Sequence, residues 1–191
     1  MNIKSRKVGI IGLGNVGSHV AFSIVTRGIC DELILIDEKE DKVKSEMLDL
    51  KDSLANLESN IIIKSQDYSE LKDAEILVIA AGPLPRFEQT RLDTLGDSVK
   101  IIDDIMPKIL QSGFDGIFLV ITNPCDVITH YIWKKSGFPK NRVIGSGTSL
   151  DSARFKRITA DILNIDPKSV LGYSLGEHGD SQMIPWSHVY I

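Results

Sequence analysis

A short apolar run feeding a glycine loop constrains this chain most. Lys7-Val8-Gly9-Ile10-Ile11 leads into Gly12-Leu13-Gly14-Asn15-Val16-Gly17, and an apolar-periodic stretch from about Val16 to Arg27 follows, stopping at Gly28. Strand, tight turn and helix in that order open a βαβ unit. The next apolar run begins at Glu32 and ends at Asp37, 20 positions past Gly17. The alternation then continues. Helix is expected over about Lys39–Leu54, with Val43, Met47, Leu48 and Leu50 facing inward, and strands over Ile61–Ile63 and Glu75–Ala80. A proline-containing loop spans Gly82–Gln89, and a long helix runs from Thr90 to about Leu110. A strand at Gly116–Ile121, a helix from Asn123-Pro124 to about Lys135, a strand at Arg142–Gly145 and a helix over Ser149–Leu163 complete the series. These strands are continuously apolar rather than alternating, as strands covered on both faces are. The expected fold is therefore α/β, a doubly wound parallel sheet of the Rossmann kind.

After Asp166-Pro167 the rhythm changes. Residues 169–175 and 183–191 read as extended segments around a turn that contains His178. They are expected to begin a second, α+β domain, dividing the chain into residues 1–147 and 148–191. The last residues, Val189-Tyr190-Ile191, resemble a strand, and an exposed apolar edge is a poor place for a domain to stop. The second domain is therefore expected to be incomplete.

Composition narrows the function classes. A net charge of −4 gives no global basic field for nucleic acid or a membrane surface. The 42% hydrophobic and 25% charged residues are those of a soluble globular protein, with no apolar run long enough to cross a bilayer. Cys30 and Cys125 have no CxxC spacing, and a strand begins by Lys7. Both points favour a reduced, cytoplasmic setting without a signal peptide. Four histidines, two scattered cysteines and no HExxH argue against a metal site.

In its strand–loop–helix context the GxGxxG pattern has a job for each part. Gly12 permits the turn, Gly14 lets the backbone approach a pyrophosphate, and Gly17 allows close helix–sheet packing. The helix amides supply anion donors. Asp37 would accept hydrogen bonds from adenosine ribose hydroxyls and repel a 2′-phosphate, which favours NAD over NADP. A methyltransferase would usually carry an acidic residue before the glycines, where Ile10-Ile11 stand. Tyr68 and Lys72 have the YxxxK spacing of short-chain dehydrogenases, but they precede the fourth strand, far from where that pair would act.

Two later stretches carry reactive groups: Leu150-Asp151-Ser152-Ala153-Arg154 and Gly176-Glu177-His178-Gly179-Asp180. An imidazole exchanges a proton near neutral pH. A buried carboxylate such as Asp151 would fix its tautomer and stabilise the charged ring. Arg154, on the same helix face, offers a planar fork for a substrate carboxylate. With the glycine loop, this set points to hydride chemistry on a small hydroxy or keto acid. Each residue alone has a plainer reading: a turn histidine, or an aspartate serving a helix N-terminus.

Six stretches, in order, resemble the L-lactate/malate dehydrogenase family, and within it the L-lactate and L-2-hydroxyisocaproate dehydrogenase branch. They are Gly12–Gly17, Thr90-Arg91-Leu92-Asp93, Thr122-Asn123-Pro124-Cys125-Asp126-Val127, Gly145-Ser146-Gly147-Thr148, Leu150–Arg154 and Gly176–Ser181. The resemblance implies an NAD-dependent oxidoreductase. His178 would be the acid/base, Asp151 would orient and stabilise the imidazolium, and Arg154 would bind the substrate carboxylate. Arg91 would polarise the reacting carbonyl as the preceding loop closes. Asn123 would hold substrate and nicotinamide, with Gly12, Gly14, Asn15, Val16, Gly17, Asp37 and Gly82 as the other cofactor contacts. A homo-oligomer is implied for the full-length protein.

The match departs from the family in two places. Counting back from Arg91, Pro85 falls where lactate enzymes usually have glutamine and malate enzymes arginine. Arg86 could reach a second carboxylate if the loop shifts by one, which keeps a malate enzyme as the alternative. The apolar Pro83-Leu84-Pro85 lip better suits lactate or a bulkier aliphatic acid, so pyruvate or 2-oxoisocaproate should be reduced faster than oxaloacetate. Family members also continue well past residue 191. A truncated, non-catalytic NAD-binding module is thus the other alternative, and weak or no turnover is expected of these residues alone.

Overall fold

The computed structural model describes residues 5–83 and 93–191. Its elements follow the expected alternation: β1 (Lys7–Ile11), α1 (Asn15–Thr26), β2 (Glu32–Ile36), α2 (Glu40–Leu54), β3 (Ile62–Ser65), β4 (Ile76–Ile79), α3 (Leu95–Gln111), β5 (Ile117–Val120), α4 (Cys125–Ser136), β6 (Val143–Gly145) and α5 (Ser149–Leu163). The strands form one sheet in the order β3-β2-β1-β4-β5-β6, every neighbouring pair parallel. That is the Rossmann order. The chain winds outward from β1 to β3, then returns to β4 on the other side of β1, so the switch point and its crevice lie between β1 and β4.

Both faces of the sheet are covered, and the side chains divide with the period of two that a strand imposes. Ile10, Leu33, Leu35, Ile63 and Val78 enter one core with Ala21, Val25 and Val43 of the first two helices. Ile11, Ile34, Ile36, Leu77, Ile79 and Phe118 enter the other with Ile102, Met106, Ile109, Ile128 and Ile132. The unbroken apolar strands thus supply two cores at once. A third, small cluster joins Phe155, Ala160 and Val170, with Ile184 and Val189 packed against it.

Three details differ from the expectation. Leu48 is 57% exposed, while Val43 and Leu50 are buried and Met47 packs beside them. Its place in the 3.6-residue period carries Leu48 off the stripe that Val43, Met47 and Leu50 share. The third helix begins at Leu95, after a turn at residues 93–94, rather than at Thr90. Thr94 in that turn is buried, Leu95 packs against the core, and the buried stripe of the helix continues through Ser98 and Ile102. The expected loop at Gly82–Gln89 lies largely outside the described residues. Beyond α5 the extended segments form only two isolated antiparallel bridges, Leu171 with Tyr190 and Leu175 with Met183, and Trp186–His188 forms a single 3-10 turn.

Candidate active site

Every strand of a parallel sheet points the same way, so all the loops after the strands gather at one edge. Here those loops carry the glycines after β1, Asp37 after β2, Gly82 after β4, Asn123 after β5 and Asp151 just inside α5 after β6. Gly12 has φ +93, and a Cβ there would meet the Ala81 backbone at 2.4 Å. At Gly17 a Cβ would lie 1.8 Å from the Gly12 carbonyl oxygen. Only glycine fits either place. At Gly14, by contrast, a Cβ would face open space, with nothing within 4 Å. The loop is thus closed toward the protein and open where a pyrophosphate would lie. Asn15 and Val16 stand exposed on the first turn of α1, which has no acidic residue to compete for its amides. Asp37 Oδ2 accepts from the Leu13 amide at 2.6 Å and its Oδ1 accepts from the Lys39 amide at 3.0 Å. These features fit a dinucleotide.

Next along the same edge, Thr122 is tied to the end of β4, its hydroxyl donating to the Ala81 carbonyl at 2.8 Å. Asn123 is exposed, and its carbonyl accepts from Ser98 Oγ at 2.9 Å. The structure brings His178 and Asp151 together: His178 Nδ1 lies 2.5 Å from Asp151 Oδ2, and the two side chains are only 9% and 10% exposed. Arg154 Nη1 is 3.6 Å from Asp151 Oδ1, an ion-pair distance too long for a good hydrogen bond, and the guanidinium is 55% exposed. Asp151 therefore faces His178 with one oxygen and Arg154 with the other. An open cleft of about 560 Å³ runs past Asp151, Arg154, Ser174, Gln182, Ile184 and Trp186. Arg86 and Arg91 lie outside the described residues.

The two halves of the pair are 27 residues apart, and the start of α5 holds them together through hydroxyls to which the sequence assigned no role. Thr148 Oγ1 donates to the Ser174 carbonyl at 2.6 Å, and the Ser174 amide donates to Ser152 Oγ at 3.0 Å. Ser174 Oγ then donates to Gln182 Oε1 at 2.8 Å, closing the turn from its far side. Sequence reasoning also passed over Asp126, whose Oδ2 accepts from the His178 amide at 2.8 Å. Its signal was its place three residues after Asn123, in the first turn of α4. Cys125 is buried between the Val120 carbonyl at 3.5 Å and the Gly147 amide at 3.4 Å. Among the described residues no cluster of three or more His, Cys, Asp or Glu is arranged to hold a metal ion.

Comparison with known proteins adds an independent line. Residues 6–145 match the family model for the lactate/malate dehydrogenase NAD binding domain, and residues 148–191 that for its alpha/beta C-terminal domain. The chain is 50% identical over all its residues to L-lactate dehydrogenase 3 of Bacillus cereus and 44% identical to L-lactate dehydrogenase 2 of Lactococcus lactis subsp. lactis. It spans 60% and 61% of the length of those relatives. The crystal structure of minor L-lactate dehydrogenase from Enterococcus mundtii in its ligands-bound form superposes with a TM-score of 0.94 at 43% identity, over 99% of this chain and 60% of that one. With two family models in sequence order and relatives matched along its whole length, the chain belongs to the lactate/malate dehydrogenase family, of which it carries the NAD-binding domain.

Proposed function

We propose that the protein is an NAD-dependent L-2-hydroxy acid dehydrogenase of the L-lactate type, with residues 1–147 as the cofactor domain and 148–191 as the beginning of the catalytic domain. The observation that carries the reading is the His178–Asp151 pair, its side chains largely enclosed at the sheet edge that bears the glycine loop. Gly12, Gly14, Asn15, Val16, Gly17, Asp37 and Gly82 would hold the dinucleotide. Bound NAD supplies the hydride-transferring nicotinamide. Asn123, after β5, would orient the ring and the substrate together.

The substrate is a 2-hydroxy or 2-keto acid whose carboxylate meets the Arg154 guanidinium in a two-pronged contact. With Nδ1 held by Asp151, the proton exchanged with the substrate oxygen is carried at Nε2 of His178. Asp151 offsets the positive charge of the ring whenever His178 holds that proton, so charge never accumulates uncompensated in a partly buried site. Arg91 would polarise the carbonyl from the preceding loop, and Arg86 would lie at the mouth of the substrate site. The Pro-Leu-Pro lip and the L-lactate dehydrogenase names of the relatives support lactate or a larger aliphatic homologue as substrate.

The relatives are longer, and the reading extends to a full-length homo-oligomer in the cytoplasm. Both cysteines are unbonded and buried, as a reduced compartment keeps them, and among the described residues no helix is long and apolar enough to cross a membrane. The decisive test is His178→Ala in the full-length product. Turnover of pyruvate with NADH should fall by about 10²-fold or more, as loss of a general acid does, while NADH affinity stays unchanged. Retained turnover, or a wild-type enzyme that reduces oxaloacetate faster than pyruvate and 2-oxoisocaproate, would reject the reading.

A further inference from the structure

Asp37 is the first residue past β2. The last pair joining β1 to β2 is Ile11 with Ile36, so the Asp37 backbone has run out of strand partners. One side chain supplies both that it needs. The Asp37 amide donates to Gln66 Oε1 at 3.1 Å, and Gln66 Nε2 donates to the Asp37 carbonyl at 2.8 Å.

Gln66 itself has φ +61, in the left-handed region that residues with a Cβ seldom enter. Among the described residues one other non-glycine shares this feature, Asn164 with φ 55, and it ends α5 as a left-handed cap. Gln66 ends no helix. It follows β3, where its amide donates to the Leu35 carbonyl at 2.9 Å, and the next residue, Asp67, accepts from the Ser69 amide at 2.8 Å. The Asp67 carbonyl also accepts from the Glu70 amide at 3.3 Å, so the backbone is held on both sides of Gln66. Strain maintained in this way raises the question of what the side chain gains by it.

What it gains is the grip on Asp37. The Asp37 carboxylate bridges the Leu13 and Lys39 amides, which leaves it at the glycine loop with acceptor capacity for the two ribose hydroxyls. A loose carboxylate could swing aside for a 2′-phosphate; one whose backbone is clamped cannot. The clamp is also a neutral amide, so it adds no positive charge that would draw a phosphate in. We infer that Gln66 is a positioning residue: through its two bonds to the Asp37 backbone it fixes the ribose-binding carboxylate and sets the preference for NAD over NADP. The inference rests on the reading of Asp37 given above.

Two variants with opposite backbone consequences test it. Gln66→Gly removes the clamp and relieves the φ strain. Gln66→Met keeps the length and the strain but makes neither bond. NADH and NADPH are titrated against the 191-residue chain and both variants by nucleotide fluorescence, with thermal melts alongside. Wild type should bind NADH more tightly than NADPH. Both variants should weaken NADH by about fivefold, the worth of one net hydrogen bond, with NADPH altered by less than about twofold. Melting temperatures should diverge, the glycine variant above the methionine one, which a purely structural role for Gln66 would not combine with a shared loss of selectivity. Unchanged NADH affinity and selectivity in either folded variant overturns the inference, as does failure of both to melt cooperatively. A wild-type chain that fails to bind NADH, or fails to discriminate, instead overturns the reading of Asp37 itself, and shows this before any variant is made.

Discussion

Asp126 shows how much of the His178 geometry is imposed from outside its own turn. The imidazole is aligned by Asp151 on one side, but its backbone is tied to the start of α4 by a carboxylate 52 residues away in sequence. The bond links the histidine to the element that follows Asn123, so the proposed proton carrier and the proposed substrate-orienting amide share one anchor. A charge-assisted bond to a backbone amide is worth about 1.5–3 kcal/mol, and Asp126 is exposed, so the lower end applies. On the proposed function, Asp126→Ala in the full-length product should lower kcat about tenfold and leave NADH affinity unmoved, with Asp126→Asn restoring most of the rate because its amide oxygen still accepts. Steady-state kinetics with a parallel NADH titration would check this. Equal losses in both variants would assign the carboxylate's charge, and not its hydrogen bond, to the effect.

At the scale of elements, β2 and α5 differ in what burial contributes. Ile34 is fully buried between both flanking strands in the core on one face of the sheet, whereas Ile162 on α5 is 77% exposed. Ile34→Ala should therefore cost about 2–5 kcal/mol, the removed transfer energy plus an unfilled cavity. Ile162→Ala should stay within about 0.5 kcal/mol. Urea denaturation of the two variants would measure both values; a large cost at Ile162 would mean that α5 is covered in solution. Local pattern served the strands better than the helices here. A strand covered on both faces needs only an apolar run, but a helix edge depends on which turn the sheet can reach. That is why Leu48 sits off the buried stripe.

For the molecule as a whole, the two cores on either side of the sheet are the stable body, and their thiols report on it. Cys30 is 2% exposed, and burial, with the Asp31 carboxylate adding to it, pushes its thiol up to about 11. The folded protein thus keeps this proton where the unfolded chain, with an ordinary thiol near about 8.5, has begun to lose it. Stability from this group is complete below about pH 8.5 and is lost as pH rises toward about 11. The urea midpoint should fall across that window, and should fall less steeply in Cys30→Ala, with equilibrium unfolding at a series of pH values as the measurement. Identical slopes would show that Cys30 ionises in the unfolded and folded chains alike.

The sequence alone determined the order of elements, the doubly wound sheet, and which side chains the loops after the strands carry to one edge, because these follow from local spacing. Apolar runs of strand length, glycines at turn positions and an acid after the second strand are all read within a few tens of residues. The tertiary structure decided what lies across the molecule. It placed His178 against Asp151 across 27 residues, tied the histidine backbone to Asp126 and the Asp37 backbone to Gln66, and used the hydroxyls of Thr148, Ser152 and Ser174 to hold the turn. Several of these residues lie in recognisable stretches, but no stretch says which partner each will meet, because a hydrogen bond between distant segments requires only that a donor and an acceptor arrive together, and that meeting is fixed by how the helices pack on the sheet.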